Sequence, residues 1–154
     1  MEHFFRHPLL PYAECRRSTD SARKYRMHMH KTFSIGAVDR GEVEYSVDGE
    51  TGRLGPGELI LFNPETMHAC NPVGPDRRNY YVLYLEKDWC LTLVRSMWKV
   101  ESLVPASAHV LGDGILFSRF IEAMETILGE GDILEKEQAI TEAALMVFEA
   151  ACPQ

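Results

Sequence analysis

Three histidines carry the first chemical signal in this 154-residue chain. His28 and His30 stand two apart, and His68 follows the apolar run Leu59-Ile60-Leu61-Phe62, which Asn63-Pro64 ends. Neutral imidazoles suit borderline transition metals, and three of them converging from two segments fit a tetrahedral or octahedral site for zinc or nickel. Side chains on a strand alternate with a period of two, so His28 and His30 share a face. They can meet His68 only if the sheet curls back on itself. Cys70 has the strand parity of His68 and offers a fourth, soft ligand. The same rings could instead line a pocket and hydrogen-bond an organic ligand or one another, and the sequence supports both readings.

Two further groups can complete such a pocket. Arg40 ends the strand that begins near the histidines, and its even number puts it on their face if no bulge intervenes. A guanidinium there would hold a carboxylate or hydroxyl-rich ligand bidentately; the competing reading is a strand-end arginine in solvent. In Asn79 to Glu86, either Tyr80, Val82 and Tyr84 or Tyr81, Leu83 and Leu85 face the cavity. Tyrosine rings stack on an apolar ligand face and present a hydroxyl for orientation.

The first half of the chain has the strand signals needed to position these residues. Val43, Tyr45 and Val47 alternate with Glu42, Glu44, Ser46 and Asp48, as expected for a half-buried antiparallel strand. Asp48-Gly49 reads as a hairpin turn. Gly55-Pro56-Gly57 reverses the chain before Leu59 to Phe62, and Pro64 removes a ladder donor and stops that strand. From Asp88 onward the apolar period changes to about 3.6. Trp89, Leu93 and Met97 predict one helix, and Phe117, Phe120, Ile121, Met124, Ile127 and Leu128 a second, which Gly129 and Gly131 stop. Asp132 to Glu135 resembles a capping box that opens a third helix through Ile140, Ala144, Val147 and Phe148, ended by Pro153.

These pieces resemble a cupin, and more closely the N-terminal effector-binding domain of the AraC family of transcription regulators. The resemblance rests on their order: His-x-His, then Ser34-Ile35-Gly36 leading to Gly41, a Gly hairpin, and Pro56-Gly57-Glu58-Leu59-Ile60-Leu61-Phe62-Asn63-Pro64 with His68 behind it. It implies a mainly β fold, a cupin-type antiparallel β-barrel (double-stranded β-helix, or jelly roll) over about 1–86. Two to three α-helices follow over about 87–154, all in one effector-binding domain. It also implies a small-molecule effector bound by Arg40, His28, His30, His68, Tyr80 and Val82, and a homodimer formed through the C-terminal helices. Pro8-Leu9-Leu10-Pro11 resembles the family's N-terminal arm, which would bring Pro8 over the ligand; an ordinary extended lead-in is the alternative. The family's helix-turn-helix domain would follow the last helix, so contact with DNA is expected only through a domain that this chain lacks. The competing function is a metal-dependent cupin enzyme, a dioxygenase or isomerase. Such enzymes place a Glu four or five residues after the second His, where this chain has Ser34 and Ile35, and no catalytic residue is assigned.

Composition narrows the classes. A formal charge of −7 and a pI near 5.3 oppose direct binding to a phosphate backbone. Arg16-Arg17 and Arg77-Arg78 are the densest positive spots and read as solvated surface. The four cysteines form no Cys-x-x-Cys pair and no secretory leader is evident, so a cytoplasmic protein with reduced thiols is expected. No apolar run approaches the roughly 20 residues that span a bilayer.

Overall fold

The computed structural model describes residues 1–98 and 109–151. Cys152 and the helix stop assigned to Pro153 lie outside them. The described residues form, in chain order, nine strands and three helices: β1 (Glu2–Phe5), β2 (Ala13–Ser21), β3 (Phe33–Arg40), β4 (Val43–Val47), β5 (Glu50–Leu54), β6 (Leu59–Phe62), β7 (His68–Pro72), β8 (Arg78–Leu85), α1 (Lys87–Met97), β9 (Val110–Leu111), α2 (Gly114–Leu128) and α3 (Ile133–Ala151). All pairings are antiparallel. One sheet has the order β1-β2-β8-β3-β6-β9 and the other β5-β4-β7, the two-sheet jelly roll of a cupin.

The turns follow from local chemistry. Asp48 and Gly49 both have positive φ, 50° and 78°, which suits the two-residue hairpin joining β4 to β5 with Val47 opposite Glu50. Gly41 turns the chain at φ 90°, where an added Cβ would come within 2.7 Å of the Arg77 carbonyl oxygen. No other residue fits that position without strain.

The two faces of the larger sheet do different work. On β8 the odd residues Tyr81, Leu83 and Leu85 join Ile35, Leu61, Phe120, Met124, Ile140, Val147 and Phe148 in the main core, which packs the sheet against the helices. Phe33 meets Phe148 edge-on at 5.1 Å, and the Cys15 thiol lies 3.4 Å from the Met124 sulfur. On the other face Val38, Val43, Val47, Leu54, Ile60, Phe62 and Tyr80 form a second cluster between the sheets.

The helical periodicity is realised in all three helices. Asp113 caps α2 by accepting from the Ile115 and Leu116 amides, and the Asp132 carboxylate accepts from the Glu135 amide at 2.9 Å. Each bond satisfies an amide that the helix itself leaves unpaired. Apolar faces that sequence alone leaves open are largely covered. Phe120, Met124, Ile127, Ile140, Val147 and Phe148 are fully buried, and Phe117, Ile121 and Met146 are half-buried against the same core.

Candidate functional site

Between the sheets lies a cavity of about 230 Å³. Its wall is mostly apolar, with Val38, Val43, Leu54, Ile60, Phe62 and Val82, and its polar groups come from Arg16, Tyr25, His28, His30, Ser34, His68, Cys70, Arg78, Tyr80 and Tyr84. Of the two sets on β8, the even residues Tyr80, Val82 and Tyr84 face this cavity. Gly36, opposite Val82 on β3, leaves room for it: a Cβ there would sit 3.2 Å from Ile60 Cγ2.

The three histidines come together, by a route other than the one expected. His28 and His30 precede β3 in irregular backbone rather than on a strand. His28 makes an isolated antiparallel bridge to His68 through two amide bonds of 3.0 and 2.8 Å, and the His30 carbonyl accepts from the Glu65 amide at 2.7 Å. One ligating atom from each ring lies within 4.8 Å of the others. His28 Nδ1 lies 2.7 Å from the Arg26 carbonyl and His68 Nδ1 lies 2.8 Å from that of Thr66. A carbonyl only accepts, so each Nδ1 carries the proton and each Nε2 keeps its lone pair, the arrangement that supports metal-ligating histidines. His68 also stacks on Phe62 at 3.9 Å. Burial holds its pKa down to about 4, with the Thr66 carbonyl opposing and the neighbouring histidines adding to the shift. Burial, with His28 beside it, lowers His30 as well. Cys70 lines the same cavity, but burial pushes its thiol up to about 12, so it faces the site as a neutral thiol.

Arg40 does not reach the pocket. A bulge between Val38 and Arg40 shifts the register against β8, which pairs Arg40 with Asn79 and turns the guanidinium into solvent. Pro8 is likewise exposed and absent from the cavity wall, in the turn that follows β1, where the Leu10 amide bonds the His7 carbonyl.

The arginines that do line the cavity belong to pairs that read as solvated surface. Arg16 meets both Glu2 carboxylate oxygens at 3.2 Å, the Tyr80 hydroxyl at 3.1 Å and the Tyr25 hydroxyl in a short bond. Its neighbour Arg17 holds Asp39 bidentately at 2.6 and 3.0 Å. Arg78 is 3% exposed and lies over the Tyr80 ring at 4.6 Å; burial pulls its pKa below the ordinary arginine value. Only Arg77 of the four stays exposed. Arg78 shares even parity with Tyr80, Val82 and Tyr84, which is a usable sequence signal. Tyr25 had none, because it sits in irregular chain before β3. Its position comes from Asn71, whose side-chain amide accepts from the Tyr25 amide at 2.6 Å and donates to its carbonyl at 3.1 Å. The Tyr25 hydroxyl then meets that of Tyr80 at 3.1 Å, and burial raises the Tyr80 pKa to about 12, so the phenol stays protonated.

Residues 10–144 match the family model of the AraC-like ligand binding domain. Over 115 residues the chain is 26% identical to YbfI of Bacillus subtilis (strain 168), an uncharacterized HTH-type transcriptional regulator; the match covers 75% of this chain and 42% of that protein. The chain thus spans less than half the length of this curated relative. Among solved structures, KdgF from Halomonas sp. is 25% identical with a TM-score of 0.46, over 58% of this chain and 83% of that one. A mutant of Bacillus subtilis oxalate decarboxylase is 13% identical with a TM-score of 0.45, over 51% of this chain and 22% of that one.

Proposed function

The chain belongs to the family of AraC-like ligand binding domains, and we propose that it acts as the sensing domain of a transcription regulator, binding a small polar effector between its two sheets. The observation that carries this reading is the double role of β8. Tyr80, Val82 and Tyr84 line the cavity, while Leu83 and Leu85 sit in the core beneath the helices and Tyr81 borders both. An effector that favours one position of this strand shifts the packing of α2 and α3, provided it binds that state better than the other. Residues 1–154 work in this reading as one unit, in which the barrel senses and the helices relay and pair with a second copy. Contact with DNA falls to another domain of the regulator, in keeping with the net charge of −7. Among the described residues no helix is long and apolar enough to cross a membrane.

His28, His30 and His68 fit a divalent transition metal such as zinc or nickel, since the carbonyls on two Nδ1 atoms leave the Nε2 atoms free to ligate. A bound ion would supply a Lewis-acidic anchor for the effector. The alternative, a metal-dependent enzyme, draws on the same cluster. Against it, none of the described residues lining the cavity is Asp or Glu, the groups that would move protons there.

The sensor reading is tested by a thermal-shift screen of a metabolite library on the purified chain, run beside Val82→Trp, which fills the cavity. A ligand at about 100 times its Kd stabilises the native state by roughly 2.7 kcal/mol. A hit that raises Tm in wild type and not in Val82→Trp supports the reading; equal shifts in both, or no hit, count against it.

A further inference from the structure

Arg78 is left without a role by the sensor reading alone. Taking a guanidinium out of water is costly unless an opposite charge and hydrogen-bond acceptors replace its hydration. Arg78 is 3% exposed, yet among the described residues no carboxylate pairs with it. Its Nε has no hydrogen-bond partner, and its Nη2 reaches the Arg23 carbonyl at the 3.5 Å limit. Beyond that it lies over two rings, Tyr80 at 4.6 Å and Tyr25 at 6.0 Å. Arg16, on the same cavity wall, differs because Glu2 neutralises it and two tyrosine hydroxyls accept from it. The uncompensated charge therefore sits at Arg78, inside a chain whose formal charge is −7.

The rest of the wall limits what can supply the missing charge. Val38, Val43, Leu54 and Ile60 form an apolar stretch that an inorganic anion would leave unfilled, so the charge needs an apolar body attached to it. At about 230 Å³ the space suits a compact body. A carboxylate matches a guanidinium fork in plane and spacing, with two acceptors for two donors.

We propose that Arg78 anchors the carboxylate of a compact organic acid whose apolar body lies along Val38, Val43, Leu54 and Ile60. This rests on the barrel being the effector pocket, and it narrows the effector from polar to monoanionic.

Two matched probe series test the assignment by calorimetry on the full chain: benzoate and hexanoate as acids, benzamide and hexanamide as neutral counterparts, with sodium sulfate as an anion lacking an apolar body. In wild type the acids should bind more tightly than their amides by about tenfold or more, the scale of a charge-assisted hydrogen bond. Sulfate should bind more weakly than either acid. Arg78→Met should abolish the preference for acid over amide, and Arg78→Lys, which keeps the charge but not the fork, should retain part of it. Circular dichroism checks that both variants fold, and Arg78→Lys decides the matter if Arg78→Met does not. Amides binding as tightly as acids overturns the carboxylate assignment while leaving a pocket that senses neutral ligands. An undiminished acid preference in both variants places the anion elsewhere. Binding of neither series also overturns the anion proposal, and the library screen then decides the sensor reading separately.

Discussion

Replacing Arg78 with methionine should make the ligand-free protein more stable. Methionine keeps an unbranched side chain of similar reach and fills irregular apolar space without a polar head. What it removes is a buried guanidinium whose Nε is unsatisfied and whose Nη2 makes one long bond. An orphaned buried donor costs about 1–3 kcal/mol, more when charged. Against this stands the loss of the guanidinium over Tyr80, about 0.5–2 kcal/mol for a desolvated cation–π contact. The balance is a gain of about 1 kcal/mol, or a rise in Tm of about 2–4 °C for a chain of this size. Arg16→Met should have the opposite sign. It breaks a two-point bond to Glu2 and bonds to two tyrosine hydroxyls, although partial exposure keeps the loss to about 1 kcal/mol. Urea unfolding at pH 7, without ligand, reads both. If Arg78→Met lowered stability as Arg16→Met does, Arg78 would have a native partner and the argument for an uncompensated charge would fail.

Three further outcomes follow from the same structure. In metal-free protein, His68 is held near 4 by burial while the unfolded chain titrates near 6.5. The unfolded state therefore binds the extra proton between these values, and stability present above pH 6.5 is lost as pH falls to about 4, by about 2–3 kcal/mol; unfolding of His68→Gln should show a shallower acid dependence, and equal slopes would contradict this. Cys15 and Cys70 both have thiol pKa values raised to about 12 by burial, so neither should be alkylated by iodoacetamide at pH 8 in native protein, as peptide mapping would reveal. Phe148, fully buried and edge-on to Phe33, ties α3 to the barrel, so Phe148→Ala should cost about 3–5 kcal/mol in urea unfolding, and a loss below 1 kcal/mol would show that the helix packs loosely.

Much of this architecture was legible because its signals are periodic. Alternation in Val43–Val47, the Asp48-Gly49 turn and the 3.6-residue repeats of the helices each follow from one local rule. His28, His30 and His68 converge because the backbone bridge between His28 and His68 does what strand pairing was expected to do. Arg40 was misplaced by a single extra residue: parity propagates along a strand only until a bulge, and nothing local in Val38-Asp39-Arg40 marks one. Arg16 and Arg78 were overlooked because charged pairs are usually solvated: Arg16 is covered by Glu2 and Tyr25, which lie on other segments, whereas Arg78 lies over the ring of Tyr80 two residues on, and their shared parity was a signal left unused. Tyr25 depends on Asn71, 46 residues away, a contact beyond the reach of any local pattern.

The account stands most directly on where an effector binds. Backbone and side-chain chemical-shift mapping, with the chain saturated by the strongest ligand from the screen, locates that position. The account predicts that the largest changes fall on Ser34, Gly36, Arg78, Tyr80 and Val82, with smaller ones passing through Tyr81 and Leu83 into α2 and α3. Changes confined to the outer groove between α2 and α3, around Arg119, Glu122 and Glu142, with the cavity residues unmoved, would contradict it.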